Sequence, residues 1–324
     1  MENILNVNNL SVYFNIQDKK APAVENISFS IDSGEILGIA GESGAGKTVT
    51  TLSLLGLLDN NAEISFSSIK FKNKVISPIN SKDLSGILGK DISIIFQDAM
   101  GHMDPMFTIG DQLVEILNIH ERLSKDKALE KSIDILNKLG ISSPEQIINL
   151  YPHQLSGGMA QRIIIASAIL TSPSLLFADE PTSSLDVTLK NQILRLLWQV
   201  NKEFGTSIVL ISHNIQILSN LCNNILIMYG GWIVEKISAN VIFNESIHPY
   251  TIGLLNSIPS LENKKTLETI PGNIPDISKY PKGCRFQDRC TKVMEKCILE
   301  EPPEIFLSDS HYVKCWLAYK EGAA

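Results

Sequence analysis

The sequence has no run of about 18 to 20 apolar residues, the length a helix needs to cross a bilayer. Its longest apolar stretches are short, such as residues 163–170, so the chain itself is not expected to span a membrane. Runs of basic residues are missing too, and 28 Lys and Arg against 35 Asp and Glu leave a net charge of -7. Such a surface repels a phosphate backbone, which makes nucleic acid a poor partner. The N-terminus, MENILNVNNLSVYF, lacks a basic start followed by an apolar block and a small-residue cleavage site. It alternates apolar and polar residues like a strand, and the chain is expected to remain in the cytoplasm. No long internal repeat or low-complexity tract is found, and the close cysteine pairs typical of structural zinc are absent.

What is present is a chain of 324 residues, enough for a main domain with an appendage. Strands are expected at Leu5 to Val12, Val24 to Ile31, Ile36 to Ala40 and Ile92 to Phe96, with a helix from about Lys47. Helical periodicity then covers Ile109 to Ile119 and Lys127 to Leu139, which reads as a separate helical lobe over about 100–172. From Ser156 onward helices alternate with buried apolar strands at Leu175 to Ala178, Ser207 to Ile211 and Ile225 to Met228. That alternation argues for a mostly parallel sheet. Beyond about Glu245 the texture changes, with residues 259–283 rich in Pro, Lys and Ser, so the expected domains are 1–245 and 246–324.

The stretch GESGAGKTVT, from Gly41 to Thr50, lies between a strand and a helix and fits G-x-x-x-x-G-K-[ST] at every fixed position. Gly41, Gly44 and Gly46 let the backbone N–H groups of Glu42, Ser43, Ala45 and their neighbours turn toward phosphate; Lys47 reaches the β and γ phosphates, and Thr48 offers a hydroxyl to Mg²⁺. A glycine-rich turn at a helix start would show the same glycines. Further along, Leu175-Leu176-Phe177-Ala178 delivers Asp179 and Glu180 to a strand end. Asp179 can hold Mg²⁺ and Glu180 can polarise an attacking water, although two acids after a strand also suit a solvated turn. In YPHQLSGGMAQRIIIASAIL, Ser156, Gly157 and Gly158 open a helix whose bare N–H groups suit a second anion, or serve as an ordinary helix start.

Taken in order, these motifs resemble the nucleotide-binding subunit of an ATP-binding cassette (ABC) transporter across about residues 5–245. The resemblance implies an α/β P-loop NTPase fold with a mixed sheet core, an antiparallel β part and a helical subdomain. It implies adenine stacking on Phe14, or else Tyr13, and ATP bound at residues 41–50, Thr50 included. It implies that Gln97 senses Mg²⁺ and water, that His213 bonds the γ phosphate, and that Asp186, in SSLD at 183–186, aligns the opposite site. It further implies a head-to-tail dimer in which Ser156 and Gly158 approach the nucleotide of the other subunit. Gln97, His213 and Asp186 equally suit a polar strand end, a cap and a helix N-terminal acid. Departures from the family pattern are Ala160 in place of a basic residue, Asp104-Pro105, and the segment Ala99 to Met103 beside Gln97.

His248-Pro249-Tyr250-Thr251 and Pro271-Gly272-Asn273-Ile274-Pro275 resemble the C-terminal extension of oligopeptide, dipeptide and nickel importer ATPases, in particular the D-type subunit. That resemblance implies a second ATPase subunit forming a heterodimer, transmembrane permease subunits, an extracellular substrate-binding protein, and a place on the cytoplasmic face of the membrane. Cys284, Cys290, Cys297 and Cys315 are spaced C-x5-C-x6-C-x17-C. Four thiolates can hold iron and sulfide or zinc. Similar extensions carry a four-iron, four-sulfur cluster, while zinc and unliganded or oxidised thiols stay open. Arg285 and Arg289 would offset the charge of such a cluster. The rival functions are a soluble ABC ATPase, for which a long coiled coil or tandem cassettes would be expected, and a metal-sensing regulatory subunit. Nickel or a metal chelate remains possible as cargo beside peptides.

Overall fold

The computed structural model describes residues 3–16, 19–98, 100–183, 185–258 and 269–319. Ala99, Ser184 and the 259–268 part of the Pro- and Lys-rich stretch lie outside them. The chain opens with β1 (Asn3–Ile16), β2 (Lys19–Asp32), β3 (Ile36–Ala40), α1 (Lys47–Leu54), β4 (Ala62–Ser65), β5 (Ser68–Phe71) and β6 (Lys74–Val75). Next come α2 (Ser81–Leu84), β7 (Ile92–Ile95), α3 (Ile109–Glu121), α4 (Lys125–Lys138), α5 (Pro144–Ile147) and α6 (Gly157–Ile169). They are followed by β8 (Leu175–Asp179), α7 (Val187–Phe204), β9 (Ser207–Ser212), α8 (Ile215–Leu221), β10 (Asn224–Tyr229) and β11 (Trp232–Ser238). The last elements are α9 (Ile242–Glu245), α10 (Pro249–Asn256), α11 (Glu295–Leu299), β12 (Glu304–Ser308) and β13 (His311–Lys314).

The described residues fall into two compact units, one within 1–4, 31–35 and 76–211, the other within 5–30, 36–75 and 212–324. In the first unit β7, β8 and β9 run parallel, with Ile92 beside Leu175 and Leu175 beside Ser207. Every residue of β8 is buried, which is why it reads as an unbroken apolar run rather than an alternating one. The helices around it are amphipathic. On α7, Ile193, Leu194, Leu196, Leu197 and Val200 form the buried stripe, and each such side chain contributes about 1.5–3 kcal/mol. Asp186 caps its start and Gly205, at φ 68°, its end. On α3, Ile109, Leu113 and Leu117 follow the helical period and pack against α4 and α6.

In the second unit an antiparallel sheet runs β2-β1-β5-β6, with β4 also paired to β1. A second run of strands goes β12-β13-β11-β10-β3, in which only β10 and β3 are parallel. The sheet is therefore mixed. The described residues beyond 245 sit in this same unit. Their anchor is Glu235 on β11, which is fully buried. Its carboxylate accepts the N–H groups of Ile247 at 2.8 Å and His248 at 3.2 Å, and bonds His311 Nε2 at 3.1 Å. A buried carboxylate is tolerated only when its oxygens are met in this way, so α10 and β13 are held where Glu235 needs them.

Candidate functional site

In the second unit β3 ends in the phosphate loop, and the loop runs straight into α1. Gly41 passes so close to β10 that a Cβ would sit 2.3 Å from Met228 O, and Gly46 has φ 104° with Ala23 O 2.9 Å from a would-be Cβ. Both glycines are demanded by sterics. Around Gly44, by contrast, an added Cβ would meet nothing within 4 Å, so the loop has an open mouth. Lys47 is buried, and its Nζ donates to Gly41 O at 2.8 Å and Glu42 O at 2.9 Å. The amine thus lies across the loop. Ser43 and Thr48 are exposed, while Ala45 is buried and anchors the loop through Gly231 N–H to Ala45 O at 2.9 Å. Thr50 faces inward, its hydroxyl donating to Gly46 O at 2.9 Å.

Phe14 and Tyr13 occupy successive positions on β1 and therefore opposite faces. The Tyr13 hydroxyl donates to Glu25 at 3.4 Å, and burial and that carboxylate raise its pKa; Phe14 is half-buried. His213 is exposed just past β9, and the cap of α8 is its neighbour Asn214, which accepts the N–H of Ile217 at 3.3 Å.

The first unit carries the remaining sequence-expected residues. Asp179 is buried at the end of β8 and Glu180 half-buried beyond it. Glu180 has φ 45°, a left-handed conformation that costs a side-chain-bearing residue energy, and its N–H donates to Ile211 O at 3.1 Å. Gln97 is exposed after β7, next to Phe96, whose ring stacks on His102 at 4.4 Å. Ser156 caps α6 and accepts the N–H of Met159 at 3.4 Å. Gly157 stands in open space, whereas a Cβ on Gly158 would press within 2.8 Å of Leu189 on α7. Asp186 accepts the N–H of Leu189 at 3.0 Å, so helix capping is one function it performs. Ala160 is fully buried, which leaves no room there for a solvated basic side chain.

All five cysteines are free thiols, Cys222 in the cassette and the other four in the extension. Cys284, Cys290, Cys297 and Cys315 line one small hollow together with His248 and Trp316. Burial pushes the Cys284 thiol up to about 12 and the Cys315 thiol up to about 11, and raises that of Cys290. Among the described residues no group of three or more His, Cys, Asp or Glu is placed to hold a metal ion. His248 is fully buried, and desolvation lowers its pKa to about 3; its neutral ring accepts the Tyr250 N–H at 3.1 Å. The two arginines do not serve the thiols. Arg285 bonds Gly230 O and Glu25, and Arg289 bonds Glu42, because each buried guanidinium takes the nearest carboxylate.

What sequence reading missed is the contacts: the carboxylates of Glu25 and Glu42 that meet the two arginines, and the Tyr250 hydroxyl, which accepts the Glu42 N–H at 2.9 Å. No local signal could have found a contact between residues 208 positions apart.

The ABC transporter family matches residues 24–183, and the family described as oligopeptide/dipeptide transporter, C-terminal region, matches residues 234–297. The oligopeptide transport ATP-binding protein AppD of Bacillus subtilis is 40% identical over 325 residues, covering 100% of this chain and 99% of its own. The oligopeptide transport ATP-binding protein OppD of Escherichia coli is 42% identical, over 94% of this chain and 90% of its own. A dimeric ATP-binding cassette, MJ0796, solved bound to ADP and Pi, superposes with a TM-score of 0.64 at 25% identity, over 73% of this chain and 99% of its own. No described helix is long and apolar enough to cross a membrane. The cassette match and the C-terminal match fall in one chain that is about 40% identical to these transport ATP-binding proteins over nearly its whole length, and the chain belongs to the ABC transporter family, among its oligopeptide and dipeptide transport ATP-binding proteins.

Proposed function

We propose that this ABC ATPase powers the import of peptides through a membrane transporter, bound to permease subunits at the cytoplasmic face of the membrane and supplied by an extracellular substrate-binding protein. The observation that carries the reading is the C-terminal match over residues 234–297, joined in one chain to the cassette at 24–183. The partner across the nucleotide is proposed to be a second, related ATPase subunit.

Within the cassette, Gly41 to Thr48 cradle the phosphates, and the open mouth at Gly44 with the Lys47 amine across it suits that task. Mg²⁺, when bound, neutralises phosphate charge; Thr48, Asp179 and Gln97 are its proposed partners. Glu180 is the general base that takes the proton of the attacking water, and its left-handed backbone is the kind of local strain that functional sites carry. His213 is assigned to the γ phosphate, Phe14 to adenine, and Ser156, Gly157, Gly158 and Asp186 to the nucleotide of the opposite subunit.

The four cysteines are proposed to hold a four-iron, four-sulfur cluster, with zinc as the alternative. What supports a ligand there is that all four line one hollow. A cluster spreads its thiolates over several metal atoms, so it does not require the tight grouping a single ion does.

The test is uptake of a labelled peptide library by vesicles carrying the assembled transporter. Uptake that requires ATP and stops with Glu180→Gln is expected. Nickel uptake without peptide uptake would overturn the cargo assignment, and unimpaired uptake by Glu180→Gln would overturn the base.

A further inference from the structure

Glu42 is the second residue of the phosphate loop, and a carboxylate there opposes the approach of a polyanion. Its charge is met from the C-terminal extension. Arg289 Nη1 donates to Glu42 Oε2 at 2.7 Å and Nη2 to Oε1 at 2.9 Å, the bidentate geometry that makes such pairs strong and directional. Arg289 is itself fixed. It is 6% exposed, its Nε donates to Pro271 O at 2.7 Å, and its guanidinium lies 5.6 Å from the Tyr229 ring and 5.9 Å from that of Phe286. Burial works against its charge, yet hydrogen bonds to Glu42 and Tyr229 carry its pKa above the usual arginine value.

The backbone of Glu42 is gripped as well. Its N–H donates to the Tyr250 hydroxyl at 2.9 Å, and its carbonyl accepts the Lys47 amine at 2.9 Å. Tyr250 is fully buried, edge-on to Tyr229 at 4.7 Å and tilted on Phe286 at 5.4 Å. One loop residue therefore links two side chains of the extension to the amine that lies across the loop.

We infer that Arg289 and Tyr250 are positioning residues for nucleotide binding: they clamp Glu42, cancel its charge, and thereby set the affinity of the phosphate loop for a nucleoside triphosphate. Neither touches the reacting atoms; both act through Glu42 on the loop and on Lys47. The inference rests on reading residues 41–48 as the triphosphate site.

The test is calorimetric titration of the full chain with ATP, without magnesium so that hydrolysis does not intervene. Arg289→Met strands a carboxylate in the loop and is expected to weaken ATP binding by about tenfold or more. Adding Glu42→Gln removes the stranded charge and is expected to restore affinity to within about threefold of the parent. A role confined to packing the extension would not be rescued that way, so a double variant as weak as Arg289→Met overturns the inference. So does an Arg289→Met protein that binds like the parent. Tyr250→Phe keeps the ring and loses only the acceptor, which preserves a test where Arg289→Met does not fold; it should weaken ATP several-fold, and unchanged affinity overturns the clamp. Lys314→Met removes an ion pair to Glu301 within the extension and should leave affinity unchanged; a loss equal to that of Arg289→Met would assign the effect to general loosening. If Lys47→Ala binds ATP as the parent does, the triphosphate site itself is misassigned. If Lys47→Ala loses binding and Arg289→Met does not, only the present inference fails.

Discussion

Glu235 and His311 meet at 3.1 Å in the interior of the second unit, and the same carboxylate receives the N–H groups of Ile247 and His248. One buried side chain on β11 thus receives three hydrogen bonds from the segment that follows the cassette. Glu235→Ala takes the partner from the N–H groups of Ile247 and His248 and from the His311 ring, and is expected to cost about 3 kcal/mol or more. Urea unfolding should show the loss as a lower midpoint, and limited proteolysis should cut the extension of the variant first. An unchanged midpoint would mean the extension is held by other contacts.

Gly41 cannot carry a side chain. A Cβ there would lie 2.3 Å from the Met228 carbonyl on β10, and neither strand can retreat without breaking its pairing. Gly41→Ala is expected to destabilise the chain by about 1–3 kcal/mol. Thermal unfolding measures it, with Gly44→Ala as the comparison, since the space around Gly44 is open although its φ of 83° carries a smaller penalty of its own.

Glu180→Gln should keep the fold and the ATP affinity while lowering hydrolysis by about 10² to 10⁴, the range lost when a positioned general base is removed. Lys47→Ala should do the reverse and weaken binding first. Steady-state phosphate release and nucleotide titration on the assembled transporter separate the two. Equal hydrolysis by Glu180→Gln and the parent would reassign the base.

Iron and acid-labile sulfide, measured on protein purified without oxygen, should both be found and should both be lost in Cys290→Ser. Zinc without sulfide would select the alternative ligand. Neither metal nor sulfide would leave the hollow held by packing alone.

The cassette was legible where its signals are local. α7 lies between two of the expected strands, as the alternation after Ser156 requires, because Asp186, the apolar stripe and Gly205 mark start, face and stop within one stretch. The phosphate loop is equally self-contained. The extension was legible only as a resemblance. β12 alternates weakly and leaves Phe306 70% exposed, so it carries no clear core face, and neither it nor β13 was expected as a strand. Arg285 and Arg289 were expected to offset the charge of the thiolates; the fold instead turns Arg289 toward a carboxylate 247 positions away. Spacing speaks for neighbours along the chain and is silent about such partners.

The clamp on Glu42 also bears on how the protein is made. Ribosomes release a chain from its N-terminal end, so the phosphate loop emerges early while Arg289, 247 residues downstream, emerges late. Throughout most of synthesis the nascent chain holds a glycine-rich loop without its braces. Closing so long a separation is entropically slow, and ATP captured by the finished loop would select the braced form.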